Sequence, residues 1–212
     1  MNNTPFFIKG IEEAKRISKE KTKLTEPGSL KYLFWGPEKS EQSIVIQFGQ
    51  SLQRMVIHEI EKNKNFSMLQ SGVQKLVGMK KKKDVDLLFK NNKTNVIYYR
   101  ELKANIELDT EKLPATSDKV KLLSKHLKQT YPNHELDFGV LCLSIYEKDN
   151  IKQKKILNKI KQFENSGVNI SFAKDIFDIL SFKTTDKEYY EYWRKIGKIL
   201  RSWQRRKHGK KI

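Results

Sequence analysis

The residues best suited to do chemistry are a glutamate and a lysine two positions apart in the segment NVIYYRELKA. Glu101 and Lys103 lie in a run rich in β-branched and aromatic residues, which predicts a strand. Residues two apart in a strand point to the same face, so both side chains should project together. The preceding segment DVDLLF predicts another strand, which the turn-like KNNKT folds back beside the first. Asp84 and Asp86 share one face of that strand, and we expect the carboxylates of Asp86 and Glu101 to converge.

Two convergent carboxylates form a hard oxygen site of the kind that suits Mg²⁺. The Lys103 ammonium would offset charge on an attacking oxygen and on a phosphate, and the metal would lower the pKa of a bound water. The pattern therefore predicts phosphodiester hydrolysis. The tripeptide alone is weak evidence, because Glu13 and Lys15 repeat it outside any predicted strand. The alternative is a cross-strand ion pair of Lys103 with Asp86 or Asp84, typically worth roughly 0.2–1 kcal/mol.

The segments around this pattern alternate between helical and strand periodicity. A long amphipathic helix is expected over 41–62, where apolar residues recur at helical spacing. Three strands follow, in SGVQKLVGM, DVDLLF and NVIYYRELKA, and then a helix after Pro114 with Ser117 or Asp118 as its cap. The continuously apolar DFGVLCLSIY predicts a central strand covered on both faces. The later elements are a helix over 151–163, a strand at VNISFA, a short helix over 175–180 and a long helix from about Asp186.

This order of elements predicts an α/β fold, with a central mixed β-sheet flanked by helices. Strands separated by helices imply parallel pairing, whereas the turn at KNNKT implies an antiparallel pair. We expect a single domain over 1–212. Its parts are a loosely organised lead-in over 1–40, a catalytic core over 41–173 and a C-terminal helical basic segment over 174–212.

The element order and the Glu-x-Lys pair together resemble the PD-(D/E)XK nuclease superfamily, over roughly residues 41–173. The resemblance implies a restriction-endonuclease-like αβββαβ core. It also implies a metal-dependent catalytic site formed by Asp86, Glu101 and Lys103, in which the backbone carbonyl of Leu102 is a further metal ligand.

Two more acids are candidate metal ligands. Asp84 competes with Asp86 for the family aspartate, because no proline precedes either one as the family pattern requires. We favour Asp86, which lies deeper in the strand and is more rigidly held. Many superfamily members supply an acid from the first helix, and Glu59 falls on the apolar stripe there, with Glu61 behind it. A carboxylate facing a core is costly unless it is paired or metal-bound, but a small error in helical phase would place Glu59 at the solvent edge.

The polar segment that follows the second acidic strand has a resemblance of its own. YRELKANIELDTEK is similar to segments of type II restriction endonucleases of this superfamily. The resemblance implies that it organises the site or contacts DNA bases. Its candidate DNA-binding residues are Asn105, Glu107, Asp109, Thr110 and Lys112. The alternative is a solvated loop.

The charge balance favours a polyanionic partner. The chain has 43 Lys and Arg against 25 Asp and Glu, a formal net charge of +18. Such an excess destabilises the folded state by self-repulsion unless a polyanion relieves it, and nucleic acid is the first suspect. The alternative is that abundant Lys, Asn and Ile reflect a biased genome.

Several cofactors and locations are disfavoured by what the sequence lacks. Cys142 is the single cysteine, so neither a disulfide nor a cysteine-based zinc site is expected. The four histidines lack metal-ligand spacing, and the absence of a GxxxxGK[ST] loop predicts no nucleotide cofactor. The start of the chain does not resemble a signal peptide, and no stretch approaches the roughly 18 apolar residues of a membrane span. We therefore expect a cytoplasmic protein with no membrane partner, and the resemblance to restriction endonucleases implies a prokaryotic one.

The resemblance implies a Mg²⁺-dependent type II restriction endonuclease that cuts double-stranded DNA at a specific sequence and leaves 5′-phosphate and 3′-hydroxyl ends. A homodimer whose two-fold symmetry matches a palindromic site is the expected assembly. Two alternatives stay open. One is a repair or recombination nuclease of the same superfamily that recognises DNA structure, and the other is a non-catalytic DNA-binding module whose acidic pair is structural.

Overall fold

The computed structural model describes residues 4–19, 41–74, 82–104, 106 and 112–208 of the 212-residue chain. The helices are α1 (Pro5–Lys19), α2 (Glu41–Lys62), α3 (Lys112–Thr130), α4 (Lys154–Asn165), α5 (Ala173–Ile179) and α6 (Asp186–His208). The strands are β1 (Phe66–Gln74), β2 (Lys83–Asn91), β3 (Val96–Lys103), β4 (Glu135–Cys142) and β5 (Asn169–Phe172). Within these ranges, no helix combines the length and the apolar character that crossing a membrane requires.

The five strands form one open mixed sheet in the order β1–β2–β3–β4–β5. β1, β2 and β3 are antiparallel neighbours, whereas β3, β4 and β5 run parallel. Each parallel connection passes through a helix, α3 after β3 and α4 after β4, because parallel neighbours need a crossover. Helices lie on both sides of the sheet, which confirms the predicted α/β fold with a restriction-endonuclease-like core.

The sheet face that packs against α3 also carries the candidate site. Ile97 and Tyr99 of β3 are fully buried in one apolar cluster with Val120 of α3. Side chains alternate between the two faces of a strand, so Glu101 and Lys103 continue on the face of Ile97 and Tyr99. Full burial of an aliphatic side chain contributes roughly 1.5–3 kcal/mol. The core therefore anchors β3 directly behind the two polar residues.

Helix α3 begins at Lys112, earlier than the sequence predicted. Pro114 falls in the first turn, where its missing backbone N–H has no intrahelical partner to lose, so the proline does not mark a boundary. The predicted capping role of Ser117 and Asp118 is wrong for this reason. Ser117 is buried within the helix, and its Oγ accepts a hydrogen bond from the Ser166 hydroxyl at 3.1 Å.

Among the other predicted elements, α2 has its predicted bounds and α6 begins at the predicted residue, whereas the rest are present with shifted bounds. β1 starts at Phe66 rather than in the predicted segment 71–79, and residues 75–81 lie outside the described ranges. Its pairing with β2 is irregular on both sides of Gln70, and Gly72 adopts a positive φ of 82°, which favours glycine. β4 lies between β3 and β5 with Val140 and Leu141 both buried, so the central strand is confirmed.

The chain divides into two compact units, one formed by residues 1–55 with 187–212 and the other by 56–186. The single-domain interpretation stays a prediction. In the first unit, α1 is an ordered helix with a buried face that includes Phe6 and Ile17. Gly10 lies so close to the Tyr192 hydroxyl that a Cβ would collide with it. The expectation of a loosely organised lead-in is therefore wrong for 5–19, and residues 20–40 lie outside the described ranges.

The other Glu-x-Lys tripeptide belongs to a structural ion-pair network in the first unit. Glu13 Oε2 accepts hydrogen bonds from Arg16 and Arg54 at 2.8 Å each and from the Ser51 hydroxyl at 3.0 Å. Burial opposes the ionisation of Glu13, but the bonds from Arg54, Arg16 and Ser51 outweigh it and lower its pKa to about 2. Lys15 is exposed. This copy of the tripeptide thus pairs its glutamate with arginines rather than with its own lysine.

Candidate active site

The site begins where the pairing of β2 with β3 ends. The last pair of that ladder is Leu87 opposite Arg100, and Asp86 is the next residue of β2. Continuing the register places Asp86 opposite Glu101, with both side chains on one face. The Asp86 carboxylate accepts a hydrogen bond from the Leu102 backbone N–H, with 2.7 Å between Oδ2 and N. The aspartate is therefore tied to the strand that carries the Glu-x-Lys pair.

Glu101 is almost fully enclosed, with 2% of the residue exposed. Its Oε1 accepts from Lys103 Nζ at 2.8 Å, and its Oε2 lies 2.6 Å from Lys119 Nζ. The Tyr99 hydroxyl also donates to Oε2, at 3.4 Å. Three cationic or hydroxyl donors thus surround this carboxylate, which lets a buried charge be tolerated.

The surroundings of Asp86 oppose its ionisation. Burial and the neighbouring Glu101 charge raise the pKa of Asp86 to about 6, while Lys119, the Leu102 N–H and Lys103 act in the opposite direction. Burial and the Glu101 charge also raise the pKa of the Tyr99 hydroxyl far above its usual range. Tyr99 therefore stays protonated and acts as a hydrogen-bond donor, whereas Asp86 changes charge around its pKa of about 6. Perturbed acids of this kind cluster at functional sites.

Lys119 is a member of the site that the sequence analysis missed. It comes from α3, next to the fully buried Val120, and its side chain is 23% exposed. A crossover helix between two parallel strands runs back along the sheet, so its first turns lie near the carboxyl ends of those strands. Glu101 and Lys103 lie at that end of β3. The available signal was a lysine beside a buried position early in the crossover helix.

The other predicted site residues differ in how they are placed. Asp84 is exposed, whereas Asp86 is partly buried and bonded to Leu102. Glu59 faces the interior with 6% of the residue exposed, while Glu61 is exposed. Glu59 therefore lies on the buried stripe of α2 as its spacing predicted, and its metal role stays a prediction.

The predicted DNA-binding segment lies mostly outside the described residues. The residues outside the described ranges are Asn105, Glu107, Asp109 and Thr110. Their roles stay predictions. Lys112 is described, and it is exposed as the first residue of α3.

A metal at this site would rest on few protein ligands. Within the described ranges, no three or more His, Cys, Asp or Glu side chains are grouped as a metal site. Mg²⁺ needs fewer, since it retains several waters and is typically held by one or two carboxylates and a substrate phosphate. Burial and the neighbouring Glu101 charge raise the pKa of Asp86, and a divalent cation would offset the like-charge part of this cost. Asp86 and Glu101 therefore suit Mg²⁺, which needs few protein ligands, better than a metal that is held by protein side chains alone.

Comparison with known proteins gives a partial match to a curated enzyme. No protein-family model matches the chain. The chain is 32% identical over 108 residues to the type II restriction enzyme HinfI of Haemophilus influenzae, a match that covers 50% of this chain and 37% of HinfI. The solved structure of protein VC1899 from Vibrio cholerae gives a TM-score of 0.36 at 14% identity, covering 84% of this chain and 49% of that one, too low to establish a shared fold. Half of the chain is therefore similar to little more than a third of a type II restriction enzyme.

Proposed function

We propose that the chain is a Mg²⁺-dependent type II restriction endonuclease that hydrolyses phosphodiester bonds of double-stranded DNA at a specific sequence. The proposal rests on the arrangement of three side chains. Asp86 and Glu101 lie on one face of the sheet, and the Lys103 ammonium is 2.8 Å from the Glu101 carboxylate. The similarity to part of HinfI favours this class of nuclease. The products would carry 5′-phosphate and 3′-hydroxyl ends.

The residues proposed to hold Mg²⁺ are Asp86, Glu101 and the backbone carbonyl of Leu102. In an extended strand, the N–H and C=O of one residue point towards the same neighbour. Because the Leu102 N–H donates to Asp86, its carbonyl is directed to the Asp86 side as well. This direction supports the Leu102 carbonyl as an oxygen ligand beside the two carboxylates. Glu59 remains a further proposed ligand, and Asp84 remains the alternative to Asp86.

Asp86 and Lys103 have different proposed roles in the reaction. Asp86 must be ionised to hold a cation, and its pKa of about 6 leaves it charged at and above neutral pH. Lys103 shares a face with Glu101, and its side chain is 26% exposed, so its ammonium is accessible to a phosphate. We assign it to offset negative charge on the attacking oxygen and the scissile phosphate. Bound Mg²⁺ would supply Lewis acidity towards that phosphate.

The proposed partner is double-stranded DNA. The net charge of +18 supplies the attraction to phosphates, and its contribution should weaken as salt rises. Base contacts are proposed for Asn105, Glu107, Asp109, Thr110 and Lys112, which lie between β3 and the start of α3. A homodimer would place one site on each DNA strand of a palindrome.

The test is cleavage of plasmid DNA of mixed sequence by the purified chain with and without Mg²⁺. We expect discrete fragments with Mg²⁺ and intact plasmid with EDTA, and sequencing of the cut ends would read the recognition site. Lys103→Ala should abolish cleavage, whereas Lys15→Ala is the matched control because it alters the same tripeptide at an exposed position. Cleavage of branched DNA alone would favour a repair nuclease. Mg²⁺-independent binding without cleavage of any substrate would defeat the proposal.

A further inference from the structure

We propose that Lys119 is a positioning residue that holds Glu101 in the metal-free protein and competes with Mg²⁺ for that carboxylate. This inference rests on the proposed function and names a regulatory element of the same site. Lys119 Nζ lies 2.6 Å from Glu101 Oε2, while Lys103 contacts the other oxygen, Oε1. Each lysine therefore contacts a different oxygen of the Glu101 carboxylate.

The two lysines reach Glu101 from different elements. Lys103 lies on the same strand two residues away, so it stays on this face whatever Glu101 binds. Lys119 extends from α3 on a flexible four-carbon stem, and its side chain is 23% exposed. It can therefore withdraw from Oε2 towards solvent while its backbone stays in place. Oε2 is the oxygen that becomes available to a cation when it does.

The charges explain why this arrangement would matter. Asp86 and Glu101 carry two negative charges when ionised, and Lys103 and Lys119 carry two positive ones. A divalent cation entering this neutral group is repelled by both ammonium groups. An ammonium about 4 Å from a divalent ion opposes its binding even at the dielectric constant of water, and salt reduces this opposition. Lys119 thus weakens metal binding until an anionic phosphate arrives to pair with the released ammonium.

The experiment measures Mg²⁺ binding without DNA, by thermal shift and calorimetry on the full chain, beside cleavage rates at saturating Mg²⁺. For Lys119→Met we expect the half-saturating Mg²⁺ concentration to fall roughly tenfold. Cleavage should slow by about 10- to 100-fold, because a cation near the phosphate is lost. Lys119→Arg keeps the charge and should retain the weak Mg²⁺ binding of the wild type. Lys121→Met, an exposed lysine on the same helix, should match the wild type in Mg²⁺ binding.

The outcomes separate this inference from the proposed function. A wild-type chain that neither cleaves DNA nor responds to Mg²⁺ would defeat both. A wild type that cleaves, with a Lys119→Met variant that binds Mg²⁺ equally or more weakly, would overturn the role of Lys119 alone. A merely structural lysine would lower the melting temperature without strengthening Mg²⁺ binding. Lys119→Gln keeps a hydrogen-bond donor towards Glu101, and failure of both neutral variants to fold would also overturn the proposal.

Discussion

The Asp86 carboxylate accepts a hydrogen bond from the backbone N–H of Leu102, with 2.7 Å between the two atoms. This bond crosses from β2 to β3 just beyond the last pair of their ladder, Leu87 with Arg100. It holds the aspartate beside the strand that presents Glu101. The carboxylate consequently stays near a like charge that it would otherwise avoid, an arrangement that favours cation binding at the expense of stability.

The first prediction distinguishes the two aspartates of β2. Asp86→Asn should lower the rate of Mg²⁺-dependent DNA cleavage by about 10³-fold or more, because a charged ligand is lost while the acceptor for Leu102 N–H is kept. Asp84→Asn changes an exposed carboxylate two residues away on the same face and should reduce the rate less than tenfold. Single-turnover cleavage of plasmid measures both. If Asp84→Asn slowed cleavage more than Asp86→Asn, the metal-binding aspartate would be Asp84.

The second prediction concerns the stability of the metal-free protein against pH. The folded-state pKa of Asp86 is raised from 3.8 to about 6, so folding is disfavoured by its ionisation. The destabilisation is absent below about pH 4, grows as pH rises and is complete above the folded pKa. In EDTA, Asp86→Asn should therefore melt at the same temperature as the wild type at pH 4 and a few degrees higher at pH 8. Adding Mg²⁺ in place of EDTA should reduce the difference in melting temperature between Asp86→Asn and the wild type at pH 8.

The control for this pH series is Asp84→Asn, whose exposed side chain should give no pH-dependent gain in melting temperature. Equal melting of Asp86→Asn and the wild type across pH 4–8 would contradict the raised pKa. Such a result would mean that water reaching the carboxylate already offsets the cost of ionising Asp86.

Local periodicity predicted the part of the site that lies within two strands. The two-residue repeat of a strand is enough to place Glu101 and Lys103 on one face, and the short turn between the strands brings Asp86 near them. The helix over 41–62 was predicted with its observed bounds, because its apolar residues recur at helical spacing. These inferences require only neighbours in sequence.

The features that were not predicted from the sequence depend mostly on tertiary packing. Lys119 reaches Glu101 because α3 crosses back over the sheet, and sequence periodicity does not give the position of a crossover helix along its strands. Pro114 was interpreted as a boundary although a proline is tolerated in a first turn, which shortened the predicted helix. Helix α1 was underestimated because its apolar residues acquire a buried face only through packing within its unit.

The third prediction tests the hydroxyl that supports Glu101. Tyr99→Phe removes a buried donor 3.4 Å from Oε2, and we expect the free energy of unfolding to fall by about 1 kcal/mol. Cleavage should slow less than tenfold, because Lys103 still contacts the other oxygen of the glutamate. Glu101→Gln is the comparison and should abolish cleavage. A loss in Tyr99→Phe as large as in Glu101→Gln would instead give the hydroxyl a direct part in the reaction.

The fourth prediction separates the two copies of the Glu-x-Lys tripeptide by stability. Glu13→Gln removes the carboxylate charge that pairs with Arg16 and Arg54 and should lower the free energy of unfolding at pH 7 by about 1–3 kcal/mol. The pKa of Glu13 is lowered from 4.5 to about 2, so its stabilisation is fully present above about pH 5 and is lost as pH falls towards 2. Urea unfolding should therefore give a large difference between variant and wild type at pH 7 and a smaller one at pH 3. Lys15→Ala, at an exposed position in the same helix, should unfold like the wild type at both pH values. A difference between Glu13→Gln and the wild type that did not shrink at pH 3 would show that packing, rather than the ion pairs with arginine, accounts for the contribution of Glu13.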